Sequence, residues 1–265
     1  MSGDRDYATI LYDDTSAPVA RITLNRPDKR NPIGPVTAGE LVHAFTRALQ
    51  EPAVRAVVLT GAGTVFSAGG DLSMMAGGGD AASASPAQPA SLVELFTTMH
   101  RLGKPIIAMV NGHALAGGLG LMVACDLAVA SDQASFGTTE IKLGLWPMMI
   151  TAEITRNVGR KKAIELMLTG ERIDAAEALR IGLITRVVPA ARLEEETLAL
   201  AATLAEHSPA AVSLGLRAFY ATQDMDLETG LRHLQGELAK VLALEDAAEG
   251  IAAFFQKRKP TWKGR

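Results

Sequence analysis

The 265-residue chain carries 48% apolar and 21% charged residues, an ordinary soluble balance that favours one large core with an appendage. Its formal charge of -3 offers no footprint for nucleic acid or an acidic membrane surface, and its only cysteine, Cys125, excludes an internal disulfide and a cysteine-rich metal site. No apolar run approaches the roughly 18 residues that span a bilayer, and the polar, acidic residues 1–6 resemble neither a secretory signal nor a transit peptide. A cytoplasmic protein is therefore expected.

The first third alternates strands and helices. Residues 8–12 and 19–24 read as strands, the second with the alternation of a half-buried one. Residues 36–50 read as a helix, with Thr37 and Glu40 spaced as a capping box. Residues 56–60 form a β-branched strand ending at Gly61, and strand–helix–strand order of this kind predicts an α/β fold. Residues 76–90 are mostly Ala, Gly, Ser and Pro, which predicts a mobile loop, and residues 91–102 resume as an amphipathic helix. Residues 106–110 form a buried strand, 117–125 a helix starting at a glycine pair, and 127–130 another strand. Further on, a helix over 163–168 stops at Gly170, and Asp174 with Glu177 caps a helix over 175–181. From Leu193 the period is almost wholly helical, up to a basic tail over 257–265. The reading is an α/β core over residues 1–190 and a helical C-terminal subdomain over 191–265, with no internal repeat.

Two glycine-containing stretches stand out, Phe66-Ser67-Ala68-Gly69-Gly70-Asp71 and Asn111-Gly112-His113-Ala114-Leu115-Ala116-Gly117-Gly118-Leu119-Gly120, each shortly after a strand. Glycine lets backbone N–H groups approach a ligand, and a helix beginning at Gly117 aims its unpaired donors at whatever lies there. Two such donors on one oxygen would make an oxyanion hole. Gly61-Ala62-Gly63 lacks the third glycine of a dinucleotide fingerprint, and neither a phosphate-binding GxxxxGK[ST] loop nor a G-x-S-x-G elbow occurs.

These two stretches, together with Leu24-Asn25-Arg26-Pro27-Asp28-Lys29-Arg30-Asn31, the run from Gly137 to Gly144 and the ending Phe254-Phe255-Gln256-Lys257-Arg258-Lys259-Pro260, resemble the enoyl-CoA hydratase/isomerase (crotonase) family in order and spacing across almost the whole chain. The resemblance implies a spiral of ββα units with a helical trimerisation subdomain, hence a homotrimer or homohexamer. It implies an acyl-CoA thioester as substrate, with coenzyme A part of that substrate and no separate cofactor or metal. By position, the Gly70 and Gly117 amides become the oxyanion donors. Lys29 and Arg30 fall along the CoA adenine and phosphates, while Phe254 and Lys257 match C-terminal positions that reach CoA, often from a neighbouring subunit. Ala68, Asp71 and Leu72 belong to the substrate-binding stretch.

Hydratases of that family carry two glutamates, and the two positions are held here by Gly120 and Glu140. Adding water to an enoyl double bond needs a base for the water and an acid for the α-carbon. Moving the double bond from position 3 to position 2 needs one carboxylate that takes the C2 proton and returns it to C4, and the family's isomerases resemble this chain in keeping the second glutamate. Glu140 in an apolar pocket would have a raised pKa suited to that shuttle. Leu145-Trp146-Pro147-Met148-Met149-Ile150, together with Met74 and Met75, would line or fill the acyl pocket. Enoyl-CoA isomerisation is the expected activity, with hydration as runner-up and an acyl-CoA-binding protein without turnover as the alternative of another class. His113 is expected to be a packed histidine, Asp71 to cap the following turn and Cys125 to lie inert in an apolar helix; Glu153 is a candidate substitute for the acid absent at Gly120.

Overall fold

The computed structural model describes residues 7–72, 85 and 87–265; the expected loop over 76–90 and the candidates Met74 and Met75 lie wholly or largely outside them. In chain order the elements are β1 (Ile10–Asp13), β2 (Val19–Leu24), α1 (Pro35–Gln50), β3 (Ala56–Gly61), β4 (Val65–Ser67), α2 (Leu92–Arg101), β5 (Ile106–Val110), β6 (His113–Leu115) and α3 (Gly117–Val123). There follow β7 (Leu127–Ser131), β8 (Ser135–Gly137), α4 (Met148–Asn157), α5 (Arg160–Thr169), β9 (Ile173–Asp174), α6 (Ala175–Arg180), β10 (Arg186–Val188), α7 (Leu193–Ala205), α8 (Pro209–Thr222), α9 (Leu227–Leu242) and α10 (Glu245–Phe255).

One sheet runs β1-β2-β3-β5-β7-β10 and a smaller one β4-β6-β8-β9. Successive strand pairs β3/β4, β5/β6 and β7/β8 each give their first strand to the large sheet and their second to the small one, so the chain winds as a spiral of structural repeats that leave no repeat in the sequence. From β2 to β10 the large sheet is parallel. A parallel sheet needs cover on both faces, and β3 shows how it is met. Val57 and Leu59 face Leu24, Leu41 and Phe45 on one side, whereas Ala56 and Val58 face Leu193 and Ala201 of α7 on the other.

Most expected elements stand within a residue or two of their predicted bounds. Ser91 caps α2 by accepting from the Glu94 N–H at 3.2 Å, Asp174 caps α6 by accepting from the Glu177 N–H at 2.8 Å, and Gly170 ends α5 at φ 61°. The capping box at Thr37 and Glu40 does not form, because α1 starts with Gly34 and Pro35 and both side chains are buried. Glu40 instead accepts from the backbone of Ala8 and Thr9 at 2.7 and 2.8 Å, holding the start of the chain against α1. Cys125 lies just beyond α3 rather than inside it; burial pushes its thiol up, which keeps it protonated.

Candidate active site

The two glycine stretches meet side by side. Gly69 takes φ 108°, a left-handed conformation only glycine adopts freely, and a methyl group there would stand 2.6 Å from the Ala116 Cβ and 3.3 Å from the Gly117 nitrogen. A methyl group on Gly117 would stand 3.5 Å from the Gly70 nitrogen, and one on Gly118 would stand 2.6 Å from the Ser67 Oγ. Small residues therefore let α3 start directly against the end of β4. Ala116 is held at φ 50°, unusual for a residue with a Cβ, and its N–H is fixed to the Gly137 carbonyl at 2.8 Å. Such strain persists only where the surroundings over-determine it, and here it sets the direction of the first free amides of α3.

Asn31 organises this junction, a role that sequence reasoning missed. It is buried at φ 53°, and its side-chain amide donates to the Ala62 and Val65 carbonyls at 2.9 and 2.8 Å. Its Oδ1 accepts from the Arg26 N–H at 2.9 Å, while its carbonyl accepts from the Ser67 hydroxyl at 2.8 Å. Asparagine tolerates left-handed backbone better than most residues, which is the one signal a sequence carries for such a position. Asn31→Ala strands buried carbonyls, and we expect about 3 kcal/mol of lost stability in urea unfolding. Asp71 is buried in an ion pair with Arg26 at 3.0 Å, so its carboxylate ties the 26–31 loop to the glycine stretch; the turn it is expected to cap lies outside the described residues.

Gly70, Gly117 and Glu140 line one cavity of about 370 Å³, together with Ala68, Leu72, Trp146 and Met148. Glu140 sits on a single 3-10 turn, Thr139–Leu143, closed by Gly144 at φ 74°. That turn is held from outside by Thr138, whose hydroxyl donates to the Leu166 carbonyl at 2.7 Å, and by Gly170, whose missing Cβ makes room for Ile141. Glu140 is half-buried, its Oε2 is buried without a hydrogen-bond partner, and burial raises its pKa above the ordinary 4.5. A carboxylate in that state is poised to take a proton. It is the one carboxylate among the described residues lining the cavity.

Other candidates lie elsewhere. Glu153 is buried on α4, but its carboxylate pairs with the His100 Nε2 at 3.2 Å and does not line the cavity, so it does not replace the acid missing at Gly120. His113 is packed, its Nδ1 2.8 Å from the Ser135 hydroxyl. Lys29 and Arg30 are exposed within the 26–31 loop, and Phe254, 78% exposed, stands with Lys257 at the end of α10; none of the four lines the cavity. In the Trp146–Ile150 segment, Ile150 is core, Trp146 packs on the core, and Met148 and Met149 are exposed at the cavity.

Comparison with known proteins bears on the family and the fold. A family model described as enoyl-CoA hydratase/isomerase matches residues 14–265. A putative enoyl-CoA hydratase of Thermus thermophilus is 40% identical over 243 residues, 91% of this chain and 96% of that one. The 2,3-dehydroadipyl-CoA hydratase of Escherichia coli is 37% identical over 93% of this chain and 96% of its own. The crystal structure of an enoyl-CoA hydratase of Mycobacterium smegmatis superposes with a TM-score of 0.87 at 33% identity, covering 96% of this chain and 98% of that one. The spiral α/β fold expected from the sequence is the fold observed.

Proposed function

Because the chain belongs to the enoyl-CoA hydratase/isomerase family, we propose that it shifts an enoyl-CoA double bond from position 3 to position 2, with Glu140 as the single acid/base. The Gly70 and Gly117 amides take the thioester oxygen. Glu140 removes a proton from C2, the electron pair is held as the dienolate at that oxygen, and the same carboxyl delivers the proton to C4 as the C2–C3 double bond forms. The observation that carries this reading is a solitary carboxylate with an unpaired oxygen in an apolar cavity, beside two amides, those of Gly70 and Gly117, that donate to no backbone carbonyl among the described residues. Desolvation strengthens both the base and the donors.

Hydration is the second reading, supported by the relatives' names. Incubation with a 3-enoyl-CoA and with a 2-enoyl-CoA separates the two. Conversion of the first without hydration of the second is expected. Rapid hydration that vanishes in Glu140→Gln, without double-bond movement, overturns the isomerase assignment, and tight binding with no solvent-deuterium exchange at C2 overturns enzymatic turnover altogether.

The proposal extends to CoA contacts by Lys29, Arg30, Phe254 and Lys257, and to a homotrimer or a pair of trimers. Its support is the apolar face that α9 and α10 leave exposed, with Leu231 58%, Leu238 55%, Leu242 62% and Phe255 78% accessible. Light scattering should return three or six times the 27.9 kDa chain mass, and Leu231→Asp with Leu238→Asp should lower it. A monomer at micromolar concentration removes the assembly proposal.

A further inference from the structure

We infer that Ile150 decides which reaction the cavity supports, because its side chain fills the space from which a second acid and its water would work. This rests on the reading of Glu140 as the acid/base. Gly120 lies three residues after Gly117 on α3, and residues at that spacing share a helix face. A side chain at 120 would therefore leave the helix on the side that opens the cavity. There it meets Ile150: a Cβ on Gly120 would stand 2.1 Å from the Ile150 Cγ2 and 2.7 Å from the Ile150 Cβ, with the Phe96 ring at 3.5 Å.

The second distance matters most. A clash with Cγ2 alone could be relieved by rotation, but Cβ is fixed by the backbone of α4, and a β-branched residue in a helix has essentially one χ1 to use. Only movement of α4 would clear the space, and α4 is pinned. Ile150 is 2% exposed, and Glu153, one turn further along the same helix, reaches His100 on α2 at 3.2 Å. His100 in turn stacks on Tyr220 of α8, ring centroids 4.4 Å apart. The buried glutamate that the sequence offered as a substitute acid thus positions the helix that keeps an acid out.

The chemical consequence is local. Ile150 and Leu92 make this part of the cavity wall hydrocarbon, and Trp146 adds an indole whose one polar group is its N–H. A water needs two to four polar partners to stay in a cavity, and these side chains provide at most one, the Trp146 indole N–H, which is too few. Proton return from Glu140 to C4 then competes with no water held there, whereas addition across the double bond has no nucleophile in place.

The test compares the wild type with Gly120→Glu, Ile150→Ala and the double variant, following melting temperature and hydration of a 2-enoyl-CoA. Gly120→Glu alone should melt several degrees lower and gain no hydration. Adding Ile150→Ala should restore part of the melting temperature and raise hydration about tenfold or more over the wild type. Gly120→Glu that melts like the wild type and hydrates as well as the double variant overturns the inference, as does a folded double variant whose hydration is unchanged. Should the double variant not fold, Ile150→Ala decides: a hydration rate above the wild type supports the barrier, and an unchanged rate in the folded protein overturns it. Each result is a ratio within one hydration assay. A wild type inactive on the 3-enoyl-CoA would remove the isomerase reading and leave these ratios readable.

Discussion

Glu140→Gln is expected to lower kcat for isomerisation about 10³-fold while leaving KM within about a factor of two, since the carboxylate acts on the transition state rather than on binding. The substitution keeps size and approximate shape and deletes the titratable charge and with it proton transfer. Steady-state kinetics with a 3-enoyl-CoA read the result, and a variant with more than a tenth of wild-type kcat would remove Glu140 from the reaction. The pH profile follows from burial. Because the folded pKa lies above the ordinary 4.5, the base loses activity as pH falls through that raised value, so the acid limb of kcat/KM should sit higher than for a solvated glutamate. Stability has the opposite sign. A carboxyl raised on folding contributes stability that is fully present below its unfolded pKa and is lost as pH rises through the folded one. At neutral pH the wild type has lost that contribution, so Glu140→Gln should melt higher than the wild type, and the difference should shrink towards acid. A variant that is both inactive and less stable at neutral pH would contradict the burial argument.

Gly117→Pro removes one proposed oxyanion donor without removing a helical hydrogen bond. Gly117 is the first residue of α3, where the N–H has no partner in the helix and proline is tolerated. Loss of one donor should cost about 10²- to 10³-fold in kcat. Gly117→Ala keeps the amide and adds a methyl group at 3.5 Å from the Gly70 nitrogen, an ordinary contact, so its loss should be much smaller. Equal losses in the two variants would mean that crowding, not the donor, was measured, and the oxyanion role of residue 117 would fall. Circular dichroism distinguishes either outcome from misfolding.

The sequence made β3, β5 and β7 plain because each is a run of Val, Ile, Leu and Ala long enough to show strand composition. The small sheet was not legible. Its strands have two or three residues, too few for any period, and they exist because neighbouring turns of the spiral pair with them. The capping box at Thr37 and Glu40 misled for the related reason that a local pattern was overridden: the Glu40 carboxylate is taken by the backbone N–H groups of residues 8 and 9 instead of the start of its own helix. Asn31 sat inside a quoted motif, yet its partners at 62 and 65 lie far along the chain, so nothing local revealed its role.

What the sequence determined by itself is which groups are available: two glycine turns after strands, a carboxylate at 140, and hydrogen where a second carboxylate would have been at 120. Tertiary packing decided their condition. It left the Glu140 Oε2 buried and unpaired, turned Glu153 towards His100, and put Ile150 over Gly120. Backbone preferences act between near neighbours and are written in short stretches of chain. Desolvation and steric exclusion arise between segments far apart in sequence, and exist only once the chain has closed around them.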